Sequence, residues 1–258
     1  MEGVKITALT PDNISDYGVC GYKDAKKHVE LQKKIFWYSQ YYPKGLRIKA
    51  VFPKTGEYQG MIEYIPGEYA HRPVYAARYM FIHCLFVGFK KQYKGQGLAS
   101  ALINECLADA KKLKMDGAAV VTRKGSFMAD SRIFLKHGFA PVGSAPPDFE
   151  LLAKKFSPKA KNPAFKPGME ESLKKYAKGL TILRSAQCPY TEKNVNAIIK
   201  SAKEKYKVRT TLVELKTAGD AGSSPCAFGT FCIVYNGKII SHHPISATRF
   251  ENIMNKQA

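Results

Sequence analysis

Two glycines one residue apart, Gly95 and Gly97, sit in the stretch Gln92-Tyr93-Lys94-Gly95-Gln96-Gly97, between an apolar run and an amphipathic one. Glycine adopts positive φ without strain, so successive backbone N–H groups can turn toward a single point. Where such a turn opens a helix, unpaired N–H donors and the positive end of the dipole add to it. The combination holds phosphate. Lys90, Lys91 and Lys94 contribute further positive charge. The spacing is not a Walker A loop, because no Gly-Lys-Ser/Thr closes it. Nor is it the dinucleotide fingerprint, which needs three glycines.

The flanking elements support a phosphate-holding role. Met80-Phe81-Ile82-His83-Cys84-Leu85-Phe86-Val87 is an apolar run of strand length. After the turn, Leu98, Leu102, Cys106, Ala110 and Leu113 form a helical stripe with polar residues off it. Upstream, residues 12–41 read as mostly helical, broken near Gly18 and Gly21. Strands are predicted over 46–52, 58–64 and 79–87, with a turn at Pro53-Lys54-Thr55-Gly56. Downstream, a short strand over 118–122, a helix over 130–137 capped by Gly138 and a last strand over 149–156 complete the pattern.

Gln92-x-x-Gly95-x-Gly97, behind an apolar strand ending in Val87 and followed by Leu98-Ala99, resembles the cofactor motif of the GNAT N-acetyltransferases, Arg/Gln-x-x-Gly-x-Gly/Ala. Ile133-Phe134-Leu135-Lys136-His137-Gly138-Phe139 is similar to that family's helix ending in Tyr-x-Lys-x-Gly-Phe. The resemblance extends to the order of elements over residues 4–156. It implies a mixed α+β GNAT acyl-CoA N-acyltransferase fold and acetyl-CoA as co-substrate, with no metal. It also implies that the backbone of Gln92, Tyr93, Lys94, Gly95, Gln96 and Gly97, with the helix start at Leu98 and Ala99, cradles the pyrophosphate. Leu85, Phe86 and Val87 would pair with the pantetheine arm where the neighbouring strand splays away. The acceptor would be an amine of a small molecule or peptide, attacking the thioester directly in a ternary complex. Proximity and amide donors would supply most of the catalysis.

An amine is largely protonated at neutral pH, so a proton acceptor is expected nearby. His83, four residues before Val87, is the first candidate, since an ordinary histidine titrates at about 6.5. The same position also suits a core histidine bonded to a neighbouring carbonyl. Glu63, on the preceding strand, is the second candidate. Glu68 and His71 lie on a loop that could border the acceptor. The tyrosine that serves relatives as general acid is replaced by Phe134, so the acid is unassigned; Tyr79 and Tyr93 are nearby in sequence. Phe36, Trp37, Tyr38, Tyr41 and Tyr42 end the early helical region, which in relatives lines the acceptor pocket, and they suit a hydrophobic or aromatic amine.

Residues 157–179 carry three prolines and read as a basic linker with one short helix. Residues 180–258 then follow a β-α-β-β-α order. Cys188-Pro189-Tyr190-Thr191, between a strand and a helix, resembles the glutaredoxin Cys-Pro-Tyr-Cys site with its second cysteine replaced. The region is similar to a trimmed thioredoxin-like fold and to the YoaP-type domain. Two departures count against redox use: Gly229-Thr230 stands where a proline should face the thiol, and residues 216–228 read as a loop in place of a helix. The resulting domains are 1–156, 157–179 and 180–258. The rival to acetyl transfer is a monothiol redox or thiol-binding protein that uses Cys188 and merely binds CoA.

The net charge of +20 attracts anions, but the lysines are spread along the chain without a nucleic-acid module, so nucleic acid is not an expected partner. No apolar run spans a bilayer, and no charged-then-apolar leader opens the chain, so a cytoplasmic protein that avoids membranes is expected. The six cysteines form no CxxC pair, and His242-His243 beside Cys226 or Cys232 lacks metal-ligand spacing.

Overall fold

The computed structural model describes residues 4–53, 56, 58–88, 91–93 and 95–257. The chain divides into two compact units. One runs to Ala70 and resumes over Val74–Phe165. The other holds His71–Pro73 and the chain from Lys166 onward. Among the described residues no helix is long and apolar enough to cross a membrane.

The first unit is built on a seven-stranded sheet. In chain order its elements are β1 (Lys5–Leu9), α1 (Ile14–Tyr17), α2 (Val29–Tyr41), β2 (Arg47–Phe52), β3 (Gly60–Pro66), β4 (Val74–Tyr75), β5 (Tyr79–Val87), α3 (Leu98–Lys112), β6 (Gly117–Thr122), α4 (Ser131–Leu135), β7 (Ala140–Ala145), β8 (Phe149–Lys155) and β9 (Ala164–Phe165). The sheet order is β1-β2-β3-β5-β6-β8-β7, antiparallel except for β5 with β6, and β4 and β9 form a separate two-stranded ribbon. A parallel pair needs a crossover, and α3 supplies it. Its stripe Leu98, Leu102, Cys106 and Ala110 packs with Ile62, Tyr64, Met80, Ile82, Val120, Phe134 and Leu152 in one apolar core.

Helix prediction over 12–41 overran. Gly18 leaves α1 at φ 81°, and Val19 and Tyr22 form a bridge, so α2 begins only at Val29. β7 was not expected, because Pro141 and Gly143 break the alternation that marks a strand. Of the expected turn at Pro53-Lys54-Thr55-Gly56, Lys54 and Thr55 lie outside the described residues.

The second unit contains α5 (Met169–Ser172), β10 (Leu180–Arg184), α6 (Tyr190–Lys193), α7 (Val195–Glu204), β11 (Thr210–Glu214), α8 (Ala218–Gly222), β12 (Phe231–Tyr235), β13 (Lys238–Ser241) and α9 (Ala247–Met254). Its sheet order is β11-β10-β12-β13, with β10 parallel to β11 and the other neighbours antiparallel. Asn236 and Gly237, both at positive φ, turn β12 into β13 as the Asn-Gly pair predicts. The expected loop over 216–228 holds a short helix instead. Thr217 and Asp220 form a reciprocal capping box that starts α8, a signal present in the sequence but followed by too few apolar residues to read as a helix.

Candidate active site

The centre of the first sheet opens where the site is expected. β5 pairs with β6 only from Tyr79↔Gly117 to Ile82↔Val120. Beyond that point β6 continues to Thr122 against β8, while β5 continues to Val87 against β3. The β5–β6 pairing thus ends before the stretch 85–87 is reached. An extended chain could add there as a strand. Thr122, two residues past Val120 and on the same face, is fully buried, and its Oγ1 has no hydrogen-bond partner among the described residues. An orphaned buried hydroxyl at such an opening suits a ligand's polar atom.

The β3–β5 register slips at this level. Glu63 faces Cys84 and Tyr64 faces Ile82, which leaves His83 as the extra residue of a β-bulge. Ile62, Tyr64 and Ile82 point into the core beneath α3. Glu63, between two of them, points to the opposite face, and the bulge brings His83 to that face as well. There Glu63 Oε1 lies 3.1 Å from His83 Nδ1. Glu63 Oε2 accepts a hydrogen bond from Lys34 of α2. All three are buried: Lys34 and Glu63 have no exposure and His83 has 6%. Lys34 Nζ also sits 4.2 Å from the centre of the Trp37 ring, and Trp37 and Phe81 flank the imidazole at 6.1 and 5.8 Å.

The electrostatics separate the two sequence candidates. Burial alone would push the Glu63 carboxyl up, but Lys34 and His83 outweigh it and hold it at about 2. A carboxylate that acidic and doubly engaged is a poor proton acceptor. It can only accept hydrogen bonds, so the bond to His83 requires a proton on Nδ1 and directs the basic role to Nε2.

Sequence reasoning missed Lys34. A signal was there: residues 31, 34, 38 and 41 follow helical spacing, and Leu31, Tyr38 and Tyr41 are apolar. A lysine inside such a stripe must find a buried carboxylate.

The glycine turn expected to hold phosphate lies in the described backbone apart from Lys94. Lys91–Tyr93 form a 3-10 turn, Gly95 and Gly97 have φ of 78° and 74°, and α3 starts at Leu98. Gly97 caps α3 without a side-chain bond, which leaves the first-turn N–H groups, Ala99 included, directed outward. Gln96 Nε2 donates to Gln92 O at 2.8 Å and braces the turn. Tyr93 is buried in the core. Lys94 and Lys90 lie outside the described residues.

The remaining candidates are dispersed. Phe134 is fully buried against Phe139, and Tyr79 donates its hydroxyl to Lys161 O at 2.8 Å. His71 is buried and belongs to the second unit. Trp37, Tyr38 and Tyr41 are buried, whereas Phe36 is exposed. A concavity of about 800 Å³ is lined by Tyr17, Phe52, Tyr58 and Phe86, aromatics scattered over four segments, together with Gln59 and Gly88. In the second unit Cys188 is half-buried, and its carbonyl accepts from Thr191 Oγ1 at 2.7 Å. The replaced second cysteine thus acts as a structural clasp. Among the described residues no three His, Cys, Asp or Glu side chains are grouped to hold a metal ion.

This strand-turn-helix with parting strands defines an acyltransferase of the GNAT class. The chain belongs to that family: the acetyltransferase (GNAT) family matches residues 17–139, and the YoaP-like family matches residues 210–252. The chain is 30% identical to the uncharacterized N-acetyltransferase YoaP of Bacillus subtilis (strain 168), over 97% of this chain and 98% of that one. Among solved structures it is similar to the PaiA N-acetyltransferase of Thermoplasma acidophilum in complex with coenzyme A. The identity there is 14%, the TM-score 0.42, and the match covers 59% of this chain and 99% of that one. A protein assigned as a streptothricin acetyltransferase from Bacillus anthracis str. Ames, in complex with acetyl coenzyme A, matches at 18% identity and a TM-score of 0.36. That match covers 44% of this chain and 64% of the other, a little under two thirds of its length.

Proposed function

We propose that this enzyme transfers the acetyl group of acetyl-CoA to an amine of a small molecule or peptide, in a ternary complex, with His83 as the proton acceptor. The observation that carries the reading is the Glu63–His83 pair at 3.1 Å on the β-bulge, beside the point where β5 leaves β6. Acetyl-CoA supplies the activated thioester. Gly95, Gly97 and the uncapped start of α3 suit its pyrophosphate, and Leu85, Phe86 and Val87, past the end of the β5–β6 pairing, suit the pantetheine arm. Thr122 Oγ1 can donate to a polar atom of the same arm.

Three groups of the chain divide the proton work. Lys34 keeps Glu63 ionised, Glu63 holds the proton on His83 Nδ1, and His83 Nε2 takes the proton from the acceptor ammonium. Leaving of the thiolate needs no acid from residue 134, because a free thiol titrates at about 8.5 and its anion is a tolerable leaving group near neutrality. The concavity, lined by Tyr17, Phe52, Tyr58 and Phe86 with both Asp16 and Lys23, favours an acceptor with an apolar body. The second unit reads as thioredoxin-like from its β11-β10-β12-β13 order, and as a structural or substrate-shaping partner in a cytoplasmic enzyme.

The test is a calorimetric titration of the protein with acetyl-CoA, run beside Gly97→Glu. Saturable binding that the variant loses, followed by amine-dependent CoA release, supports the reading. Wild-type protein that fails to bind acetyl-CoA overturns it.

A further inference from the structure

The second unit holds a sulfur cluster that acetyl transfer does not use. Cys226 lies in the turn before β12, where Gly229 N donates to its carbonyl at 2.8 Å and Ser224 Oγ accepts from its N–H at 3.3 Å. Its Sγ is 3.2 Å from His242 Nδ1, at the end of β13. The thiol of Cys232, on β12, is turned to it as a hydrogen-bond donor. Cys226 is 1% exposed and Cys232 not at all, whereas His242 is half-buried and reaches toward solvent. Two core cysteines that merely fill space need neither a histidine nor each other.

The cluster is asymmetric. Burial would push the Cys226 thiol up, but the hydrogen bonds from Cys232 and His242 outweigh it and bring it down. Donating to Cys226, together with burial, pushes the Cys232 thiol up. One sulfur is thus prepared as a nucleophile and the other as a protonated neighbour within reach, the division of labour of a dithiol pair.

We propose that Cys226 and Cys232 form a peroxide-reactive dithiol site, in which Cys226 is the attacking thiolate and Cys232 the resolving thiol. The Cys226 sulfur attacks one oxygen of hydrogen peroxide and breaks the O–O bond. The other oxygen leaves as hydroxide, which His242 or solvent protonates to water, and Cys226 becomes a sulfenic acid. The Cys232 sulfur then attacks Cys226 Sγ and gives up its proton. The sulfenic oxygen leaves as a second water, and a Cys226–Cys232 disulfide remains. The dithiol has lost two electrons and the peroxide has gained them; a small dithiol reductant reverses the state. Burial restricts the oxidant to the smallest peroxides.

The test exposes the full-length protein to hydrogen peroxide, quenches it, alkylates it under denaturing conditions and maps all six cysteines by mass spectrometry. Exposure alone ranks the half-buried Cys84 and Cys188 ahead of the buried thiols. The proposal expects the reverse, with Cys226 and Cys232 lost first and together as one linked peptide. In Cys232→Ser, Cys226 should stop at the sulfenic acid and be trapped by dimedone. His242→Asn should slow the loss of Cys226 by about tenfold, the effect of removing a thiolate's partner. Oxidation that begins at Cys84 or Cys188, or a Cys232→Ser protein with no dimedone adduct on Cys226, overturns the proposal even if the histidine variant fails to fold.

Discussion

Glu63 Oε1 lies 3.1 Å from Nδ1 of His83, with both side chains fully buried and Lys34 bonded to the other carboxylate oxygen. A histidine oriented by a carboxylate through one nitrogen presents the other for proton transfer, and that division fixes what each substitution should do.

His83→Gln keeps a hydrogen bond to Glu63 but cannot take a proton. Loss of a positioned base lowers kcat/KM by about a hundredfold to ten-thousandfold. Affinity for acetyl-CoA should be unchanged, because the turn at Gly95 and Gly97 is untouched. Steady-state CoA release with the preferred amine, beside calorimetry, checks both halves. The limb of the rate profile that rises with pH should flatten in the variant. Unchanged kcat/KM would make His83 a core residue.

The ion pair should matter more to folding than to binding. Glu63→Gln leaves Lys34 charged in the core without its partner, and such a loss costs about 3–5 kcal/mol of stability. The double variant Lys34→Met with Glu63→Gln removes both charges and should be more stable than Glu63→Gln alone. Denaturant unfolding of the three proteins measures this. In the wild type the Glu63 carboxyl sits at about 2. The unfolded chain titrates at about 4.3, so its contribution is complete above that pH and is lost as pH falls toward 2. Acid unfolding that starts well above pH 5 would need another group.

Much of this arrangement was legible in the chain itself. The strand over 79–87, the turn and the start of α3 were readable because apolar period, glycine spacing and helix stripe agree over consecutive residues. The α4 helix and its Gly138 end were readable for the same reason, though the helix is shorter than expected. Glu63 and His83 were each readable as candidates and Lys34 sat in a helical stripe, but their meeting was not legible, because it depends on a register slip that no local pattern encodes and on a helix 29 residues away. β7, interrupted by Pro141 and Gly143, and the short α8 fell below what periodicity detects. The aromatic concavity is assembled by the fold from separate segments, so no run of neighbouring aromatics announces it.

Gly95 and Gly97 should separate backbone strain from ligand approach. A Cβ on Gly95 meets nothing within 4 Å, so Gly95→Ala carries only the strain of φ at 78°, roughly 1–2 kcal/mol. Gly97→Glu adds a carboxylate to the positive φ at the mouth of α3, where it occupies the anion position itself. The expected order of acetyl-CoA affinity is wild type, then Gly95→Ala, with Gly97→Glu below detection. Calorimetry read beside thermal unfolding distinguishes a lost site from a lost fold. Full affinity in Gly97→Glu would remove the turn from the binding site.

Phe134 stands where the family resemblance leads one to expect an acid, and it is fully buried with its ring 5.5 Å from Phe139 at 67°. Phe134→Tyr therefore adds a hydroxyl to a packed apolar layer that includes Leu102, Leu152 and Val120. A buried hydroxyl without a partner costs about 1–3 kcal/mol, so the variant should unfold earlier in denaturant. Its kcat should not rise, because departure of the thiolate is not waiting for a proton from this residue. Single-turnover acetyl transfer across pH gives the direct comparison. A rise of tenfold or more in the variant, with CoA affinity preserved, would mean that residue 134 faces the leaving sulfur and that the wild-type enzyme works without an acid it could have used.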